Sequence, residues 1–125
     1  MAESPFQDFQ MLFAQHPLPM FVYDIETLRF LEVNEAAQEN YGYAREEFLA
    51  MRITDIRPSE DVQRLLDSLR ERDRAWYHAG SWRHRYKSGR IIDVEITSPP
   101  LVYQGRRASL VIAQDVTDRK RLEVQ

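Results

Sequence analysis

The chain has 125 residues, of which 43% are hydrophobic, 30% charged and 11% aromatic, a balance that suits one globular domain and is too short for two. Its 17 Lys and Arg against 20 Asp and Glu give a formal charge of -3, which argues against a broad nucleic-acid footprint. The absence of cysteine excludes disulfides, thiolate nucleophiles and cysteine-held clusters.

No apolar run approaches the ~20 residues of a membrane helix, and the first residues lack the basic stretch and apolar core of a secretory signal. The expected setting is therefore the cytoplasm, with neither membrane nor nucleic acid as a partner. In chain order, Phe6, Phe9, Leu12 and Phe13 fall on one stripe about 120° wide of an amphipathic helix. His16-Pro17 ends it, because the residue before proline is pushed out of the helical region. Residues 18–24 and 29–33 read as a hairpin around a tight connection at 25–28. Asn34 is placed to cap a short helix starting at Glu35, and Gly42 breaks it. A second short helix is predicted over 45–51, and the string at 58–61 opens a longer one with acidic residues in its first turn. There Val62, Leu65, Leu66 and Leu69 share the core face.

From Gly80 the period becomes two. Trp82, His84 and Tyr86 alternate with Arg83, Arg85 and Lys87, and Ile92, Val94 and Ile96 alternate with Asp93 and Glu95. Leu110, Ile112 and Gln114 continue the inward set on a third strand. A three-residue loop, Lys87-Ser88-Gly89, pairs Trp82 with Val94, His84 with Ile92 and Arg83 with Asp93, whereas a two-residue turn mixes apolar and charged residues on one face. The same loop at Tyr103-Gln104-Gly105 brings Ile96 against Ile112 and Val94 against Gln114, with Pro99-Pro100 as the place where a bulge shifts the pairing by one. Arg83, Arg85, Lys87 and Arg90 read as a solvated strand face balanced by Asp93 and Glu95. The stretch 118–125 is polar and helix-permissive, and without a stop signal the chain reads as a piece of a longer protein.

This order of elements is α+β, with helices on one face of an antiparallel sheet. With LFAQHPLPMFVYDIETLRFLEVNEAAQENYGYAREEFLAM, DIRPSED, WRHRYKSGRIIDVEI and LVIAQDVTDRK in succession, the chain resembles a PAS domain, or sensory box, of the type found in bacterial histidine kinases and diguanylate cyclases. Ala44 and Ser88 depart from the Ser and Asp common in the family. The resemblance implies a five-stranded antiparallel sheet with short helices on one face. It divides the chain into an N-terminal amphipathic cap helix at 1–17, a core at 18–117 and the start of a C-terminal signalling helix at 118–125. It also implies a sensory and dimerisation module of a signal-transduction protein such as a two-component system. Such a module is not an enzyme, and it relays ligand or partner state to a C-terminal output domain. The closing Asp-x-Thr element, implied to carry that relay, is Asp115 and Thr117. Without cysteine, a covalently bonded flavin or a thioester chromophore is excluded. Residues 59–72, where haem members place their proximal histidine, contain none, so haem is not expected and no cofactor is assigned.

The candidate cavity lining is Trp82, His84, Val94, Ile112 and Gln114, with plain core packing as the competing reading of Trp82 and His84. An inward Gln114 amide must find a partner or cost about 1–3 kcal/mol, which points to Tyr86, a buried water or a small polar metabolite. His16, His78 and His84 have no metal-ligand spacing, so no metal site is assigned. The alternative is a small α+β cavity enzyme with His84 or Glu95 as general base. It lacks an orienting carboxylate in this register, and no catalytic residue is assigned. The Phe6, Phe9, Leu12 and Phe13 stripe either covers the outer sheet face, where Val111 and Ala113 are expected, or meets a second subunit. A homodimer making both contacts is expected, since each buried side chain contributes about 1.5–3 kcal/mol. Asp115 is expected to pair with a basic residue and Thr117 to cap the outgoing helix.

Overall fold

The computed structural model describes residues 5–71 and 79–124. Helix α1 (Pro5–Gln15) leads into a hairpin of β1 (Met20–Asp24) and β2 (Phe30–Val33). Asp24 organises the turn between them. Its Oδ1 accepts the backbone N–H groups of Glu26 at 2.8 Å and Thr27 at 3.1 Å, while its Oδ2 accepts from Arg106 at 2.9 Å. The buried Asn34 then caps α2 (Glu35–Tyr41) by accepting the Ala37 N–H at 3.0 Å. Its Oδ1 also accepts the Met20 N–H at 3.0 Å, and its Nδ2 donates to the Leu18 carbonyl at 3.0 Å, so one side chain joins strand, lead-in and helix. Helix α3 (Arg45–Leu49) follows, with Glu47 accepting the Ala44 N–H at 3.0 Å. Two 3-10 turns, Ile53–Ile56 and Ser59–Asp61, precede α4 (Val62–Glu71), so the acidic segment predicted as a first helical turn is a tighter turn of its own.

Strands β3 (Ala79–Arg85), β4 (Ile91–Thr97), β5 (Pro100–Tyr103) and β6 (Arg106–Asp115) complete a six-stranded antiparallel sheet, and α5 (Thr117–Val124) leaves it. The strand order is β2-β1-β6-β4-β3, with β5 also on β6. The β3–β4 register is the predicted one: Trp82 opposes Val94, Arg83 opposes Asp93 and His84 opposes Ile92. Gly89 adopts φ 95°, a conformation that costs glycine little and other residues more.

The next connection departs from expectation. Gln104 and Gly105, at φ 51° and 76°, form a two-residue turn with Tyr103 opposite Arg106. One loop residue fewer moves β6 by one position, so Ile96 opposes Ala113 and Val94 opposes Asp115. The prolines are not the cause. They divide one predicted strand into β4 and β5, yet the β5 register on β6 continues that of β4, and the Pro99 carbonyl still accepts the Leu110 N–H at 3.0 Å.

This shift reverses the faces of β6. Val111 and Ala113 join the inner core with Phe21, Val94 and Ile96, while Ile112 and Leu110 pack on the outer face, where Val111 and Ala113 were expected. The inner core is aromatic: Phe21, Phe30, Tyr41 and Phe48 meet tilted or edge-on with centroid separations of 5.2 to 6.2 Å. On the outer face Phe13 of α1 is buried against Met20, Val22 and Ala108. Phe6 and Phe9 lie outside the residues whose side chains are described. No helix among the described residues is long and apolar enough to cross a membrane.

Candidate functional site

The inner face of the sheet and α4 border a partly open cavity of about 30 Å³. A water needs about 10–15 Å³ measured this way, so the space admits a water-sized guest. Phe21, Tyr23, Ile56, Leu65, Trp82, Ile96 and Val111 give it an apolar wall, and Arg57, His84, Ser68 and Ser98 interrupt that wall. Every lining residue is buried except Ser68 and Leu69 on α4, which are partly exposed.

Two polar residues set the chemistry. His84 is 1% exposed, and its Nδ1 lies 2.5 Å from the Tyr41 hydroxyl. Burial, reinforced by the charge of Arg57, holds the imidazole pKa well below the ordinary 6.5, so the ring is neutral at physiological pH. Burial also pushes the Tyr41 hydroxyl pKa up, keeping its proton in place. Arg57 follows the Ile53–Ile56 turn and is 7% exposed, with its guanidinium 5.0 Å from the Trp82 ring centroid. Burial brings its pKa down to about 10, which leaves it charged at neutral pH. Arg57 Nε, Arg57 Nη1 and His84 Nε2 are buried with no hydrogen-bond partner among the described residues. Arg64 lies 4.1 Å from the same Trp82 ring, a cation–π contact worth about 0.5–1 kcal/mol at such an exposed position.

Of the predicted lining, Trp82 and His84 are in place. Val94 is buried in the adjoining core, and its strand neighbour Ile96 takes the lining position. Ile112 and Gln114 do not line the cavity: the two-residue turn carries Ile112 to the outer cluster and leaves Gln114 exposed. The inward amide inferred for Gln114 is thus absent, and Arg57, which sequence reasoning missed, supplies the cavity's polar groups. Glu95 pairs with Arg119, and the partner at His84 Nδ1 is a tyrosine hydroxyl rather than a carboxylate. The basic strand face is also balanced differently. Arg83 pairs with Asp61 at 2.8 Å and Glu60 at 3.1 Å, and Lys87 with Glu47 at 2.9 Å, rather than with Asp93 and Glu95.

The PAS domain family model matches residues 17–118. The chain belongs to the PAS domain family. It is 24% identical over 119 residues to the methyl sulfide methyltransferase-associated sensor of Methanosarcina acetivorans, covering 93% of this chain and 12% of that protein's length. Among solved structures, a PAS domain from a two-component sensor histidine kinase is 29% identical, with a TM-score of 0.76 over 88% of this chain and 95% of the other. A PAS domain from Colwellia psychrerythraea superposes at a TM-score of 0.82 with 18% identity, over 93% of this chain and all (100%) of the other. This is a sensory domain of the kind found in signalling proteins, in a family that is regulatory rather than catalytic.

At the C-terminal edge of this PAS domain, Asp115 and Thr117 meet, though not in the expected way. The Asp115 carboxylate accepts both the Thr117 N–H at 2.9 Å and its hydroxyl at 2.6 Å, in place of the basic partner anticipated. Thr117 Oγ1 in turn accepts the Asp93 N–H at 3.1 Å instead of capping an outgoing amide, and the Val116 N–H donates to the Asp93 carbonyl at 2.9 Å. The backbone of β4 therefore grips the first residues of α5. On the opposite side, α1 and the outer sheet face border a groove of about 650 Å³ lined by Phe13, Leu101, Val102 and Tyr103 among others. At its rim Glu32 holds Arg45 at 2.7 Å.

Proposed function

We propose that this PAS domain senses a small guest in its interior cavity and passes its occupancy to an output domain through α5. The observation that carries the reading is the presence of three buried polar atoms on Arg57 and His84, unpartnered among the described residues, beside a mostly apolar space. Such groups cost about 1–3 kcal/mol each when left unsatisfied, so a guest that meets them is strongly favoured. β4 supports the relay: Ile96 lines the cavity, and Asp93, three residues earlier, holds Val116 and Thr117. A guest that displaces β4 changes the grip on α5.

Native mass spectrometry of the purified chain and a thermal-shift panel of small metabolites test the sensing step. A retained mass, or a saturable rise in Tm, is expected; no guest in either measurement refutes it. Amide exchange tests the relay. Guest binding should change protection at Asp93 and Thr117, and Asp115→Ala should remove that response while leaving the fold intact.

The reading includes a homodimer. Leu12 is 72% exposed and Met11 55% exposed on α1, while Val102 is 74% exposed beside the outer groove, an apolar surface that a second copy would cover.

A further inference from the structure

Resting on the sensory reading above, we infer that the interior cavity takes a small monocarboxylate of formate or acetate size. Arg57 and the Nε2–H of His84 hold its oxygens. Its carbon end lies toward Leu65, Leu69 and Ile96.

The donor count decides the chemistry. Arg57 offers only N–H donors. The Tyr41 hydroxyl, 1% exposed, has one hydrogen-bond partner among the described residues, His84 Nδ1 at 2.5 Å. Tyr41 therefore donates to Nδ1, and the imidazole proton resides on Nε2; the reverse arrangement would strand the tyrosine proton in the core. All three unpartnered atoms are then donors, and the complement is a group that only accepts.

Charge narrows it further. No carboxylate lies within ion-pair distance of the Arg57 guanidinium among the described residues; Asp61, whose charge reaches it, is ion-paired with Arg83, so the buried charge has no direct counter-ion. A water or an amide accepts from these donors and leaves that charge; a carboxylate accepts charge-assisted hydrogen bonds from one edge of the guanidinium and neutralises it as well. With His84 neutral, one negative charge balances the site and two exceed it.

Size and wall set the remainder. About 30 Å³ bordered by Leu65, Leu69 and Ile96 excludes a long chain or a second polar end. Leu69 and Ser68, the partly exposed members of the lining, are where a guest larger than water makes room and enters.

The test titrates the 125-residue chain with sodium formate and sodium acetate, using sodium chloride at equal ionic strength and acetamide as controls, and follows thermal unfolding and calorimetric binding. A saturable Tm rise with the carboxylates, absent with chloride and acetamide, is expected. Arg57→Met should weaken it at least tenfold. That variant removes a buried charge with no direct ion pair and should fold; Arg57→Lys, which keeps the charge and moves its donors, should weaken binding by a smaller factor. Equal responses to acetate and acetamide, or an undiminished response in Arg57→Met, overturn the assignment. If a neutral metabolite binds while the carboxylates do not, the carboxylate is wrong and the sensory reading stands. Silence from every compound, as when a water alone fills the cavity, overturns both.

Discussion

Asn34 and His84 show how single buried polar side chains decide different things. Asn34 Oδ1 accepts two backbone N–H groups, from Met20 and Ala37, and the residue is 1% exposed. Asn34→Ala leaves both donors without an acceptor at about 1–3 kcal/mol each, less whatever water can reach. A loss of about 2–4 kcal/mol by urea unfolding is expected, and a loss below about 1 kcal/mol would show that β1 and α2 do not depend on this bridge. His84 governs pH dependence instead. It is neutral in the fold with its pKa well below 6.5, and unfolding restores the ordinary value. Below pH 6.5 the unfolded chain therefore binds a proton that the native chain does not, and stability falls as pH drops, by up to about 1.4 kcal/mol per unit. Asp24 and Asp61 have lowered values, held down chiefly by Arg106 and Arg83, and contribute stability that is lost only as pH falls below the ordinary 3.8. The lowered Glu32, Glu47 and Glu60 contribute stability that is lost as pH falls below their ordinary 4.5, so unfolding between about pH 6.5 and 5.5 reports chiefly on His84. His84→Asn should flatten the slope there, and an equally steep slope in the variant would move the effect elsewhere.

The β5–β6 turn is where an element's local chemistry controls the site. Gln104 occupies positive φ at 51°, a conformation in which Asn is better tolerated, and Asn-Gly is the favoured pair for this turn. Gln104→Asn should stabilise the chain by about 0.5 kcal/mol in thermal unfolding without altering the β6 register. A loss of stability would show that the Gln104 side chain has a role beyond the turn. This turn also explains which parts of the sheet were legible. On β3 and β4 the alternation of Trp82, His84, Ile92 and Val94 with charged residues left one sensible register, and the structure has it. In β6, Leu110-Val111-Ile112-Ala113 is apolar without a break, because this central strand meets the aromatic core on one side and the α1 cluster on the other. With no alternation to pin it, the register depended on loop length, and Ile112 and Gln114 were assigned to the wrong face. Arg57 was illegible for a different reason. A charged residue is rarely buried without a partner, and nothing in the sequence around it marks this one as inward.

At the scale of the molecule, α1 carries one buried and one exposed apolar side chain side by side. Phe13 is 7% exposed and packs on Met20, Val22 and Ala108 of its own sheet, whereas its neighbour Leu12 is 72% exposed. If a second copy covers the outward side of α1, the two residues must respond differently to substitution. Phe13→Ala removes a buried ring and should cost about 3–5 kcal/mol of stability, seen in chemical unfolding. Leu12→Glu places a charge on a wet surface and should change monomer stability by no more than about 0.5 kcal/mol, yet it opposes burial of that surface against a partner. Sedimentation velocity should therefore show the unsubstituted chain as a dimer and Leu12→Glu shifted toward monomer at the same concentration. A monomer for the unsubstituted chain across the micromolar range would remove the dimer. An undisturbed dimer in Leu12→Glu would instead move the interface off α1, toward the exposed Val102 and the rim of the outer groove.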